Sequence, residues 1–219
     1  MGCLPCGALH EGCHRMQDDD PGRDDPHKWV CLVRHGQALH NVNRENLQTP
    51  DNPLTDEGQK QVAGARDEWA VQLFGEAGGI ELVLVSPLRR AIQTAVGLVG
   101  RVDDPRFRLT PAHTERWSAR CDEGTAKSQL AADFPFLTGW RGFDELSEEW
   151  WAKRTEGSAL AERVTKFVEL LASFDERRMV AVGHGAFFER LTGVHLGNCK
   201  RHWLQIDGGS SSEGTSTES

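Results

Sequence analysis

LVRHGQALHN, residues Leu32 to Asn41, overlaps the end of the apolar run WVCLV (29–33). A short apolar run that closes on a glycine is the pattern of a strand buried on both faces, the kind parallel sheets use. Working outward, the same pattern recurs in ELVLV (81–85) and MVAVG (179–183). Between these runs the period changes to that of helices. LTDEGQKQVAGARDEWAVQLF (54–74) reads as helical with Thr55 as its N-cap. Ser86-Pro87 reads as an N-cap followed by proline at the first helical position, opening a helix to about Val99. ALAERVTKFVELLASF (159–174) places Leu160, Val164, Phe167, Val168 and Leu171 on one face, and a short helix is expected after Gly185. WLQI (203–206) reads as an edge strand.

Strands alternating with helices define an α/β class: a three-layer α/β/α sandwich with a mostly parallel central sheet. Residues 110–157 break the rhythm and read as a cap-like insertion. The flanks differ in composition. QDDDPGRDDP (17–26) is charged and punctuated by proline and glycine, so 1–27 is expected to be a disordered arm; GGSSSEGTSTES gives the same expectation for 207–219. The domain proper is then 28–206.

Charge follows this division. Of the net −8, six acids against two arginines put −4 on residues 1–27, three acids put −3 on 207–219, and 28–206 carries only −1. A locally positive site is therefore compatible with an acidic chain. No basic stripe points to nucleic acid. The six cysteines, three of them within the first thirteen residues, suit reduced thiols and a cytoplasmic setting better than a disulfide framework, and no apolar stretch is long enough to span a bilayer.

Three strands end in chemically useful side chains: Arg34-His35-Gly36, Ser86 to Arg90, and Gly183-His184-Gly185. Ligands of open α/β sheets bind beyond the carboxyl ends of the strands, so these stretches should converge there. Two arginines and two histidines at one point require an anion between them. A phosphoryl group fits, since arginine forks match its oxygens and a helix N-terminus after Ser86 would offer N–H groups. In this reading Arg34 holds the phosphate, His35 attacks it, and Gly36 leaves room for the substrate.

These motifs resemble the histidine phosphatase superfamily, the phosphoglycerate-mutase-like proteins. The match runs through RHG with Asn41 at the family's RHGxxxxN spacing, then NPLTDEGQKQ (52–61), SPLRRAIQTA (86–95), TER (114–116) and VGHG (182–185), in the family's order across 29–206. The resemblance implies that His35 becomes phosphorylated and that Arg34, Arg90 and His184 complete the phosphate pocket. The family's arginine lies four residues after the serine, which selects Arg90; Arg89 is left at the pocket edge. Glu115 resembles the proton donor, and Asn41 would add a hydrogen bond to the phosphate. The chemistry needs no metal or other cofactor. His35 must attack as neutral imidazole with its second nitrogen on a backbone carbonyl, whereas His184 is more useful protonated, so their pKa values should be pushed apart.

The implied activity is a phosphatase acting on a small phosphorylated metabolite. A mutase, which would need a bisphosphate primer, is the alternative; an inactive phosphate-binding module is a third. The family's mutases carry a tyrosine after the glutamate, whereas this chain reads Glu115-Arg116-Trp117 and contains no tyrosine, which favours hydrolysis. The aromatics of 113–151 either cap the pocket or anchor a long loop to the core, and Arg116 and Arg120 are candidates for a second anionic group on the substrate. At the N-terminus, Gly2 with Cys3 or Cys6 permits acylation and weak membrane association, and Cys3, Cys6, His10, Cys13 and His14 permit a small metal site; a mobile arm is the default.

Overall fold

The computed structural model describes residues 15–151 and 159–206. The readings at Gly2, Cys3, Cys6, His10, Cys13 and His14, and the tail 207–219, lie outside the described residues. The centre is a six-stranded sheet in the order β1-β6-β2-β5-β3-β4. Its strands are β1 (Met16–Gln17), β2 (Lys28–Arg34), β3 (Leu82–Val85), β4 (Phe107–Leu109), β5 (Arg178–Gly183) and β6 (Arg201–Ile206). β2, β5, β3 and β4 run parallel; β6 lies antiparallel to β2, and β1 antiparallel to β6.

Side-chain alternation divides the core into two layers. Cys31 and Val33 of β2, Val83 and Val85 of β3, and Val180 and Val182 of β5 face one layer. Val30 and Leu32, Leu82 and Leu84, and Met179 and Ala181 face the other. All twelve are fully buried, and each valine, leucine or methionine among them contributes about 1.5–3 kcal/mol. The first layer is closed by α2 (Asp56–Ala65), a π turn over Arg66–Ala70, α3 (Val71–Phe74) and α4 (Arg89–Val99). The second is closed by α6 (Ala159–Ser173) and α7 (Gly185–Thr192). Two short helices, α1 (Leu39–Val42) and α5 (Lys127–Asp133), lie in the connections. The three-layer reading holds, and Thr55 caps α2 by accepting from Gly58 N–H.

Three local expectations change. β6 is not an edge strand, because β1 pairs with its outer side. The stretch 17–26 is not a free linker: Asp20 bonds the buried Arg178 guanidinium at 2.9 Å, Arg178 also donates to the Gly22 carbonyl at 2.6 Å, and Asp18 meets His202 at 2.8 Å. Asp18 and Asp20 thus serve as partners for basic groups at the sheet. Finally, α4 begins at Arg89, with Leu88 rather than Ser86 at the N-cap position.

Candidate active site

The carboxyl ends of β2, β5 and β3 are adjacent in the sheet, with Arg34 level with Gly183 and Val182 level with Val85. His35, His184 and Ser86 therefore emerge side by side. The His35 and His184 rings lie 5.2 Å apart between centroids. His35 is almost fully buried, and its Nδ1 donates to the Gly36 carbonyl at 2.7 Å. That bond fixes the tautomer and leaves the lone pair on Nε2. Its backbone is equally held: His35 N–H donates to Gly183 O at 3.0 Å, and Asn198 Nδ2 donates to His35 O at 3.0 Å. Gly36 is also required by packing. A Cβ there would stand 2.9 Å from the Gly58 carbonyl and 3.2 Å from Val62, so α2 could not close on β2.

Arg34 and Arg90 flank the histidines. Arg34 donates through Nη1 to the Leu196 carbonyl at 2.7 Å. Arg90, completely buried, donates to the Cys121 carbonyl at 2.9 Å and to Asp122 Oδ1 at 3.2 Å. The Nε atoms of both arginines and His184 Nδ1 are buried without a hydrogen-bond partner. Buried donors of this kind ordinarily find an acceptor.

Burial first, and then the Arg90 charge, push His35 well below the ordinary histidine range. The same two causes depress His184, to which His35 itself adds. Both pKa values are thus depressed together in this arrangement, chiefly by burial, rather than pushed apart as expected. His184 Nε2 meets Ser86 Oγ at 2.8 Å, which is the employment of the serine that does not cap α4.

Helix N-termini near the site are already occupied by carboxylates. Asp51 accepts the first N–H of α4, from Arg89, at 2.8 Å. Glu115 accepts from Ala186 N–H at 3.3 Å and Phe187 N–H at 3.1 Å in the first turn of α7, and from Arg116 N–H at 2.8 Å. Burial, reinforced by the Asp122 charge, raises the Glu115 pKa above its usual value, against an opposing pull from Arg90. Arg163 fixes the loop that carries it, donating to Thr114 O at 2.6 Å and Glu115 O at 3.3 Å.

Arg89 does not join this group. Arg89 is committed to the insertion, bonding Thr125 Oγ1 at 3.2 Å and pairing with Asp133. Asn41 accepts from Ala38 N–H at 2.9 Å, so it shapes the loop after β2. Most aromatics of the insertion are anchors: Trp140, Phe143 and Trp150 are buried in the first core layer, and Trp140 stacks on Phe107 at 4.1 Å. Arg116 and Arg120 are exposed, and Arg120 lies 3.4 Å from Glu123. Sequence reasoning missed three members of the site. Asp122 and Asp51 are single acids in polar loops with no local signature of burial. His40 stands with its ring 5.8 Å from that of His35; its proximity to RHG was the available signal. Among the described residues no cluster of three His, Cys, Asp or Glu could hold a metal ion.

A buried histidine with a fixed tautomer is thus ringed by two arginines, a second histidine and a carboxyl of raised pKa. The family profile of the histidine phosphatase superfamily (branch 1) matches residues 30–213, and the chain belongs to that superfamily. A protein named as a probable phosphatase of Schizosaccharomyces pombe is 32% identical over 112 residues, covering 49% of this chain and 50% of that protein. The chain thus spans about half the length of that relative. Glucosyl-3-phosphoglycerate phosphatase of Mycobacterium tuberculosis is 28% identical over 194 residues, covering 82% of this chain and 80% of the relative. Among solved structures, an open-reading-frame product of Mycobacterium tuberculosis superposes with a TM-score of 0.51 at 20% identity, covering 83% of this chain and 93% of that one, a likeness of fold.

Proposed function

We propose that this chain is a phosphatase that hydrolyses a small phosphate ester through phospho-His35, without a metal or other cofactor. The observation that carries the reading is the 2.7 Å bond from His35 Nδ1 to Gly36 O, which leaves Nε2 as a nucleophile beside unpartnered Arg34, Arg90 and His184 nitrogens. Arg34 and Arg90 hold the phosphoryl oxygens, and His184 joins them through Nδ1; the bound dianion raises the His184 pKa toward the charged form. Nε2 forms a bond to phosphorus as the ester P–O bond breaks. Protonated Glu115 gives its proton to the leaving alkoxide. The resulting carboxylate then takes a proton from water, which attacks the phosphohistidine, releases orthophosphate and returns Nε2 to its starting state. Positioning and charge neutralisation carry most of such a reaction, and the general acid adds roughly 10²–10⁴ in rate.

The substrate we infer is a small phosphorylated metabolite, and the sugar-bearing ester in the name of the Mycobacterium tuberculosis relative supports a hydroxylated leaving group. Hydrolysis is favoured over mutase transfer by the absence of tyrosine from the chain. The described cysteines Cys31, Cys121 and Cys199 are free and buried, which supports a cytoplasmic setting; no helix among the described residues is long and apolar enough to cross a membrane. The test is phosphate release from a panel of small esters by the native chain and by His35→Ala. The reading expects turnover in the first and none in the second. A mutant that still releases phosphate would refute His35, and phosphoglycerate interconversion without net release would favour the mutase.

A further inference from the structure

The phosphate cradle leaves open what reads the alcohol half of the ester. In the insertion, Trp140, Phe143 and Trp150 are built into the core, and Arg89 is tied to Asp133. His40 differs. It sits in α1, a turn pinned by three bonds: Leu39 N–H to Pro53 O at 3.2 Å, Asn41 N–H to Ala38 O at 2.9 Å, and Ala38 N–H to Asn41 Oδ1 at 2.9 Å. The turn holds the His40 ring against that of the nucleophile, at the half-buried rim of the same cleft. Its Nδ1 is buried and has no hydrogen-bond partner.

We propose that His40 is a leaving-group-binding residue that selects esters carrying a hydroxyl near the phosphate, such as polyol and sugar phosphates. The inference rests on the phosphatase reading above. The groups around His40 decide the ligand chemistry. Burial and the Arg90 charge hold its pKa down to about 4, with Asp122 opposing and Arg34 reinforcing. At neutral pH the ring is therefore uncharged and presents one N–H donor and one lone pair. A hydroxyl also donates and accepts, so it satisfies either tautomer. A site built to bond a hydroxyl discriminates strongly against the analogue lacking it, because its own polar atom is then left unpaired.

Glycerol phosphate and propyl phosphate make the test, since they differ only in hydroxyl groups. For the native chain, kcat/KM should favour glycerol phosphate. His40→Ala should lower kcat/KM about tenfold more for glycerol phosphate, the scale of one lost hydrogen bond, than for propyl phosphate. His40→Asn, which restores a donor and acceptor near Nδ1, should recover part of the loss. Equal losses on both esters would mean that His40 acts through His35 and would overturn the assignment, as would unchanged kinetics on both. A native chain inactive on both would overturn the phosphatase reading itself, an outcome separable from the others because propyl phosphate needs only the phosphate cradle.

Discussion

The phosphate cradle and the leaving-group side of this cleft are built differently. Arg34, His35 and His184 stand at the ends of central strands, and His35, His184 and Arg90 are at most 1% exposed. Glu115, His40 and Asp122 stand in the connections between strands, held by bonds from Arg163, by the turn before Asn41, and by Arg90 with the Ser118 and Ala119 amides. Strand ends fix atoms through the sheet, so the cradle changes only if the core does. Loops are positioned by a few side-chain bonds, so the leaving-group side can vary on the same scaffold.

The largest test of that contrast is Glu115→Gln. It removes the proton donor but keeps an acceptor for the α7 N–H groups, so the fold should stand while turnover of esters with poor leaving groups falls roughly 10²–10⁴-fold. The pH profile sharpens this. His35 reacts as neutral imidazole, and its depressed pKa places the acid limb below 6.5. Glu115 acts protonated, and its raised pKa places the alkaline limb above 4.5. The variant should lose the alkaline limb and keep the acid one in a kcat/KM titration.

Asp122→Ala tests the join between the two sides. The Arg90–Asp122 pair is buried at both ends, with side chains 0% and 3% exposed. Removing the carboxylate leaves Arg90 uncompensated, and denaturant unfolding should show a loss of about 3–5 kcal/mol. A bound phosphate analogue should restore part of that stability, because it supplies the missing charge. The smallest effect is expected from Asn41→Ala. Since Asn41 bonds Ala38 N–H, the change should cost about 1 kcal/mol in unfolding and leave inorganic phosphate affinity nearly unchanged. A large loss of phosphate affinity would instead return Asn41 to the cradle.

The same contrast governs what the sequence discloses. Buried strands announce themselves through runs such as ELVLV and MVAVG, and the groups at their ends are then placed by topology alone. That is why Arg34, His35 and His184 were legible and why the histidines' neighbourhood followed. Ser86-Pro87 misled because a serine before proline has two uses, and the choice between capping α4 and bonding His184 is settled by a strand 98 residues away. β1 escaped notice because two residues, one of them polar, carry no periodicity. The charged run 17–26 suggested disorder, since its partners Arg178 and His202 are distant in sequence. Asp51, Asp122 and His40 are single residues whose burial arises only when loops meet.

The central claim is the covalent intermediate at His35. The direct measurement is to mix the chain with an ester of a good leaving group, quench in base, where phosphohistidine survives, and locate the phosphoryl group by peptide mass spectrometry. The account predicts one phosphoryl group on His35, absent from His35→Ala and accumulating in Glu115→Gln, whose second step lacks its base. Phosphate release with no label on His35, or label that persists elsewhere in His35→Ala, would contradict it.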